Sequence, residues 1–210
     1  MNTSNPANPA NPTNPTTNPI TVLMGLRGSG KSTLGQLIAK KRNMKFVDLD
    51  DATVALMGCA DVAQAWERFG EARFREAETR ALAGALAGEL AGGPVGELVG
   101  ELAGEPKSAC AAGVLALGGG TPTVPGAQTI LREAIKRHTV ELVYLRGSPA
   151  TLISHLTGTD ANTRPSLTGA PMLDEIAVVH AARDDLYRSL ATRVIEIDSL
   201  SIEQILGAFA

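Results

Sequence analysis

An apolar run, Ile20–Met24, leads straight into Gly25-Leu-Arg-Gly28-Ser-Gly30-Lys31-Ser32-Thr33, and the amphipathic stretch LGQLIAKK follows. This satisfies G-x-x-x-x-G-K-[ST] in the setting that pattern requires, a strand before it and a helix after it. The glycines let successive backbone N–H groups turn inward around phosphate oxygens, and the helix N-terminus adds partial positive charge. A lysine in this place reaches the β- and γ-phosphates, and the hydroxyl that follows it ligates Mg²⁺. The loop therefore predicts a nucleoside triphosphate site formed by Gly25, Leu26, Arg27, Gly28, Ser29, Gly30, Lys31, Ser32 and Thr33. The alternative is a Gly-rich strand-to-helix turn without a ligand.

A loop of this kind needs a parallel sheet behind it, and the remaining pattern supplies one. Ile20–Met24, Lys45–Val47, Val114–Leu117, Val140–Leu145 and Val194–Ile197 read as short apolar strands. Ser32–Arg42, Asp61–Leu82, Pro125–Arg137, Pro149–His155, Leu173–Leu190 and Ser201–Phe209 read as helices between them. Strands that are apolar throughout, alternating with helices, predict an α/β fold: a parallel sheet of about five strands with helices on both faces. The 210 residues suit one domain with a sizeable core.

Two segments fall outside this rhythm. Residues 1–19 hold five Asn-Pro pairs and, before Ile20, no apolar side chain larger than alanine after Met1. Proline removes a backbone donor and restrains its predecessor, so this stretch is expected to be a disordered tail. Residues 84–106, GALAGELAGGPVGELVGELAGEP, carry recurrent glycine that weakens a helix by about 1 kcal/mol each relative to alanine. A frayed helix extension or a surface insertion is expected there, within a domain spanning 20–210.

Composition excludes several partners. Nineteen Lys+Arg against 22 Asp+Glu give a net charge of −3, without the positive excess of a nucleic-acid binder. No apolar run reaches the roughly 20 residues that cross a bilayer, and no basic, then apolar, leader opens the chain. Cys59 and Cys110 make neither a disulfide framework nor a metal-ligand spacing, and they read as bystanders. His138 and His180 read as surface histidines. A cytoplasmic monomer acting on small molecules, without nucleic acid or membrane, is the expectation.

Phe46-Val47-Asp48-Leu49-Asp50-Asp51 closes the second strand. Residues two apart on a strand share a face, so Asp48 and Asp50 are expected to point together into the crevice at the strand's carboxyl end. There they would share Mg²⁺ and a substrate hydroxyl, while Asp51 caps the next helix. Arg75 and Glu78 lie three apart, on one helix face. They read either as a bidentate carboxylate site or as a surface ion pair. Gly118, Gly119 and Gly120 follow the apolar VLAL and suggest close backbone approach to a ligand, or a tight turn into Pro122. Arg183 reads either as a ligand contact or as a solvated helix arginine, with Arg188 and Arg193 nearby. The polar run Thr157–Thr163 reads as a mobile lid that excludes water.

In order along the chain, GLRGSGKST, VDLDD, GEARFREAE, LALGGGT, TRPSL and ARDDLY resemble the shikimate kinase family of P-loop kinases. The resemblance covers Ile20 to Ala210 apart from 84–106. It implies a three-layer P-loop kinase fold with a lid, ATP as co-substrate, Mg²⁺, and phosphorylation of the 3-hydroxyl of shikimate in aromatic amino-acid biosynthesis. It implies that Lys31, Asp50 and Arg164 are catalytic and that Ser32 and Asp48 hold the metal. Shikimate would be bound by Asp50, Phe74, Arg75, Glu78, Gly118, Gly119, Gly120 and Arg183, with Trp66 beside Phe74. Arg164 is the lid arginine that reaches the phosphates. His155 and Leu156 stand where many family members carry another arginine, so restoring arginine at Leu156 is expected to tighten ATP binding. A related small-metabolite kinase of the gluconate kinase type and a degenerate nucleotide-binding regulatory module are the competing readings.

Because neither biased segment carries a candidate ligand group, deleting residues 1–17 is expected to leave turnover unchanged. A steady-state assay of the shortened chain checks this, and limited proteolysis should cut first within 1–19 and 84–106.

Overall fold

The computed structural model describes residues 19–87, 113–157 and 172–209. Five strands are seen: β1 (Ile20–Met24), β2 (Phe46–Asp48), β3 (Val114–Ala116), β4 (Val140–Arg146) and β5 (Arg193–Glu196). The expected strands are all present, no end displaced by more than one residue. They form one parallel sheet in the order β2-β3-β1-β4-β5. Val22, Leu23 and Met24 of β1 and Leu142 and Val143 of β4 are wholly buried at successive positions. Since successive strand side chains point to opposite faces, both faces of the sheet are covered.

The helices among the described residues are α1 (Lys31–Arg42), α2 (Leu49–Leu56), α3 (Val62–Ala87), α4 (Pro125–Lys136), α5 (Pro149–Thr157), α6 (Met172–Leu190) and α7 (Ile202–Gly207). None of them is long and apolar enough to cross a membrane. On α1, Gly35 brings the helix so close to the sheet that a methyl there would strike the Phe46 ring and approach Leu23. Ser201 closes the N-terminus of α7 with a capping box to Gln204.

Three expectations about elements need correction. The sequence carries the second strand on through Leu49, Asp50 and Asp51; instead β2 stops at Asp48, whose carboxylate accepts from the Asp50 amide at 3.0 Å and starts α2. The single helix expected over Asp61–Leu82 bends at Gly70, which has φ 78° and ψ 165°. Ala65 before the bend and Phe74 after it share a buried cluster with Val54 of α2, and the later segment carries Arg75 and Glu78. α3 then continues to Ala87, into the 84–106 stretch, whose remainder lies outside the described residues. The tail over 1–18 and the lid over 158–163 also lie outside them.

His180 is the third. Its side chain is 14% exposed and its Nε2 lies 4.0 Å from Asp184 Oδ1, so it belongs to a packed interface rather than the surface. His138 ends α4 in a left-handed conformation (φ 56°) and is exposed, as a helix-end residue should be. Cys59 is half-buried in a small cluster of Val54, Ala65 and Phe74, edged by Val62 and Trp66. That cluster lies between α2 and α3, apart from the main core.

Helix α6 is fastened to the sheet by charge. Arg146, at the end of β4, donates to Asp184 at 2.7 and 3.0 Å and to Glu196 of β5 at 3.1 Å. The Tyr144 hydroxyl donates to the same Asp184 at 2.9 Å. These donors, Arg146 first, hold the Asp184 carboxyl below its usual range. Its stabilising contribution is therefore present above the unfolded pKa and is lost as pH falls through the folded value. Arg146→Met is expected to lower the unfolding free energy by about 1.5–3 kcal/mol at neutral pH. The gap to wild type should narrow in acid, where Asp184 protonates; urea denaturation at both pH values checks this.

Candidate active site

The loop that leaves β1 is shaped by glycine at places where a side chain has no room. A methyl on Gly25 would lie 2.5 Å from Ser29 Oγ and 2.8 Å from the Leu145 carbonyl, and one on Gly28 would lie 2.5 Å from the Leu152 carbonyl. Gly28 and Gly30 adopt φ 82° and 78°, which L side chains rarely reach. Helix α1 starts at Lys31, with no acidic residue of its own in its first turn, so its positive end opens onto the loop. Lys31 Nζ folds over the loop, donating to the Leu26 carbonyl at 3.0 Å and to Ser29 Oγ at 3.4 Å. This is an anion cradle with a cation held across it.

Asp48 and Asp50 do not share a face as an extended strand would have it. Asp48 turns toward the loop, where its Oδ2 accepts from Ser32 Oγ at 2.5 Å while Oδ1 caps α2. Asp50, one helical step on, is 8% exposed and lines a pocket on the other side. Asp51, expected to cap the helix, is exposed on α2, and Asp48 has that role. Splitting the pair assigns one carboxylate to the loop and the other to the pocket.

The pocket begins at Leu26 and Arg27 of the loop and runs past Asp50 to α3, which contributes Val62, Trp66, Phe74 and Arg75. Gly119 and Gly120 form one wall, and Glu175, Ile176, Val179 and Arg183 of α6 another. Three arginines, Arg27, Arg75 and Arg183, face two carboxylates, Asp50 and Glu175, so the lining is net positive. Apolar walls with a few convergent charged groups describe a site for a small anionic ligand.

Arg75 is held from several sides. Its Nη1 donates to Glu78 at 2.9 Å, its Nη2 and Nε approach Glu71 at 3.4 Å, and its guanidinium lies 5.5 Å from the Trp66 ring and 5.7 Å from the Phe74 ring. Trp66 and Phe74 are tilted against each other at 6.1 Å. Glu78 is fully buried, so the surface ion pair is excluded. It also accepts from Thr121 Oγ1 at 2.6 Å. Gly118 lies between carboxylates: a methyl there would collide with Asp50 Oδ1 and lie 2.6 Å from Glu78 Oε1. A methyl on Gly120 would lie 2.7 Å from Arg75 Nη2. The run ends in a 3₁₀ turn, Thr121–Thr123, so the glycines serve both close approach and a turn. Arg183 Nη1 donates to the Gly119 carbonyl at 3.0 Å, which places it in the pocket wall.

Other predicted positions resolve differently. Leu26 and Ser29 are buried, Ser32 and Thr33 exposed at the start of α1. Leu156 packs in the main core at 8% exposure, against Gly28, and His155 Nδ1 sits 2.9 Å from the Gly28 carbonyl. An arginine at Leu156 would bury a charge under the loop, so the expected gain in ATP binding does not follow. Arg164 lies outside the described residues. Glu175, Ile176 and Val179 were missed; the signal was the spacing of Glu175, Val179 and Arg183, four apart on one helix face.

The profile of the shikimate kinase family matches residues 27–93 and 106–209. The chain belongs to the shikimate kinase family. A shikimate kinase of Rhodopirellula baltica is 34% identical over 189 residues, covering 88% of this chain and 84% of the relative. One of Marinomonas sp. is 36% identical over 183 residues, covering 86% and 84%. In fold, the chain resembles the shikimate kinase from Acinetobacter baumannii in complex with shikimate, with a TM-score of 0.71 at 23% identity over 91% of this chain and 90% of that one. The shikimate kinase from Bacteroides thetaiotaomicron gives 0.68 at 24% identity over 90% and 95%. The family profile leaves out residues 94–105, which fall within the Gly/Ala/Leu/Glu-rich stretch.

Burial raises the Glu78 pKa above its usual 4.5, against the lowering effects of Thr121 and Arg75 and with a further push from Asp50. A folded pKa above the unfolded one means that the ionised carboxylate costs stability, and that the cost is relieved as pH falls through the folded value. Relative to Glu78→Gln, wild type is therefore expected to gain unfolding free energy on acidification from neutrality toward the glutamate range. Paired urea titrations across that range check the slope.

Proposed function

We propose that the chain transfers the γ-phosphoryl group of ATP to the 3-hydroxyl of shikimate, giving ADP and 3-phosphoshikimate. One observation carries this reading: one pocket is lined both by Leu26 and Arg27 of the phosphate loop and by a pair of arginines, Arg75 and Arg183, together with the buried carboxylate of Asp50. In this reading the triphosphate lies in the loop amides from Gly25 to Thr33, with Lys31 swinging from its carbonyl and hydroxyl partners onto phosphate oxygen.

Shikimate places its carboxylate on Arg75 and Arg183, whose planar forks suit bidentate contact. Glu78 fixes Arg75 from behind. Phe74 and Trp66 line the apolar side of the ring, and Gly118, Gly119 and Gly120 let the backbone come close to it. Asp50 accepts the proton of the 3-hydroxyl; that oxygen forms the new bond to phosphorus, and the bond from phosphorus to the bridging oxygen breaks, leaving ADP. Catalysis is mostly orientation and charge, because phosphoryl transfer asks little covalent chemistry of a protein. Arg164, from the lid, adds positive charge at the transferred group.

Ser32 and Asp48 suit Mg²⁺. They are a hydroxyl and a carboxylate already in contact at 2.5 Å, hard oxygen donors at the foot of the loop. Among the described residues no group of three or more His, Cys, Asp or Glu gathers as a protein-only metal cage. When bound, Mg²⁺ neutralises charge on the β- and γ-phosphates. The same reading has the enzyme working as a cytoplasmic monomer on small molecules, with residues 1–19 and 84–106 outside its chemistry.

A coupled ADP-release assay offered shikimate, gluconate and nucleoside monophosphates in parallel tests the function; turnover of gluconate or a nucleotide in place of shikimate would overturn it. Lys31→Met and Asp50→Asn are each expected to depress kcat by about 100-fold or more while circular dichroism stays native. Arg75→Ala should weaken shikimate binding with ADP binding little changed, as calorimetry of the two ligands would report.

A further inference from the structure

The two arginines of the pocket refer to one peptide unit. Arg183 Nη1 donates to the Gly119 carbonyl at 3.0 Å. Arg75 is seated against Gly120, where a methyl would lie 2.7 Å from Nη2 and 2.9 Å from Nη1. The Gly119–Gly120 peptide is planar, so whatever fixes its carbonyl oxygen also fixes the Gly120 side of the plane. Glycine offers no side chain to hold that plane, and its backbone is the most permissive of any residue. The orientation must be set from outside.

The Tyr187 hydroxyl donates to the same Gly119 oxygen at 2.5 Å. Tyr187 is fully buried, and its ring stands edge-on to Tyr144 at 5.5 Å and 79°. Tyr144 is in turn tied through its hydroxyl to Asp184, which Arg146 clamps. A carbonyl oxygen has two lone pairs. With the phenol on one, the other is left for Arg183. The flexible partner is thereby aimed by the rigid one.

Resting on the proposed shikimate kinase reaction, we propose that Tyr187 is a positioning residue for substrate carboxylate recognition, acting through the Gly119 carbonyl on Arg183 and through the Gly120 backbone on Arg75. Tyr187 does not reach the reacting atoms. It sets the spacing of two guanidinium groups that must meet one carboxylate. Its hydroxyl is bonded to Gly119, outside the loop that holds nucleotide.

The test compares Tyr187→Phe with Tyr144→Phe. Each removes one buried phenol hydroxyl from the same aromatic pair, but the Tyr144 hydroxyl is bonded to Asp184 and the Tyr187 hydroxyl to Gly119. Tyr187→Phe is expected to raise the KM for shikimate about three- to tenfold, the size of one ordinary hydrogen bond. The KM for ATP should stay unchanged and kcat should hold within about twofold. Tyr144→Phe should lower the thermal midpoint and leave the shikimate KM as in wild type. An equilibrium titration of shikimate, followed by fluorescence of Trp66, the single tryptophan, should repeat the ranking without turnover. The proposal falls if Tyr187→Phe binds shikimate as wild type does, if Tyr144→Phe loses as much affinity, or if the KM for ATP rises in step. A wild type that binds no shikimate would overturn the reaction assignment as well; wild-type binding with an unaffected Tyr187→Phe would overturn the positioning role alone.

Discussion

A carboxylate taken wholly out of water organises the acceptor half of this molecule. Glu78 has no exposed surface, and an ionised acid in that position is costly unless its oxygens are met by donors. Thr121 supplies one at 2.6 Å and Arg75 another at 2.9 Å. Meeting that demand brings together α3, which carries both Glu78 and Arg75, and the turn after β3, which carries Thr121. It also dictates glycine at 118, because Asp50 and Glu78 occupy the space a side chain would need. Arg75 is left anchored on one side and open to the pocket on the other. The carboxylate contact proposed for Arg75 draws on this anchoring.

The parallel sheet supplies the other half of the arrangement. Strand carboxyl ends all open to the same side in such a sheet, and crevices form there. β1 passes into the phosphate loop, β2 into Asp48 and Asp50, and β3 into Gly118–Gly120. Each chemical group is thus delivered from the carboxyl end of a strand of one sheet. Helix α6 closes the pocket from above. It is referred to the sheet through Asp184, Arg146 and Glu196, and to the glycine wall through Tyr187 and Arg183.

Contiguous chemistry was legible from residue order. The phosphate loop needs nine consecutive residues between a strand and a helix; within it Gly28 and Gly30 take positive φ, and Ser29 crowds Gly25. Strand positions were equally legible, since strands buried on both faces read as unbroken apolar runs. The i, i+3 spacing of Arg75 and Glu78 announced one helix face, and the resemblance in six ordered motifs named the family. These features depend on neighbours in sequence, where periodicity and propensity act.

What residue order left open was decided at longer range. Asp48 caps α2 through one oxygen and meets Ser32, sixteen residues away, through the other. Leu156 looked like a missing lid arginine until the fold packed it beneath Gly28. Glu175, Ile176 and Val179 became pocket wall only when α6 docked over a sheet built from earlier strands. Tyr187 meets Gly119 across sixty-eight residues, and the burial of Glu78 needs Thr121 forty-three residues on. Burial and shared acceptors are properties of packed elements. A linear pattern can supply the groups, but the desolvation that gives Glu78 and Tyr187 their roles exists only once the layers have closed.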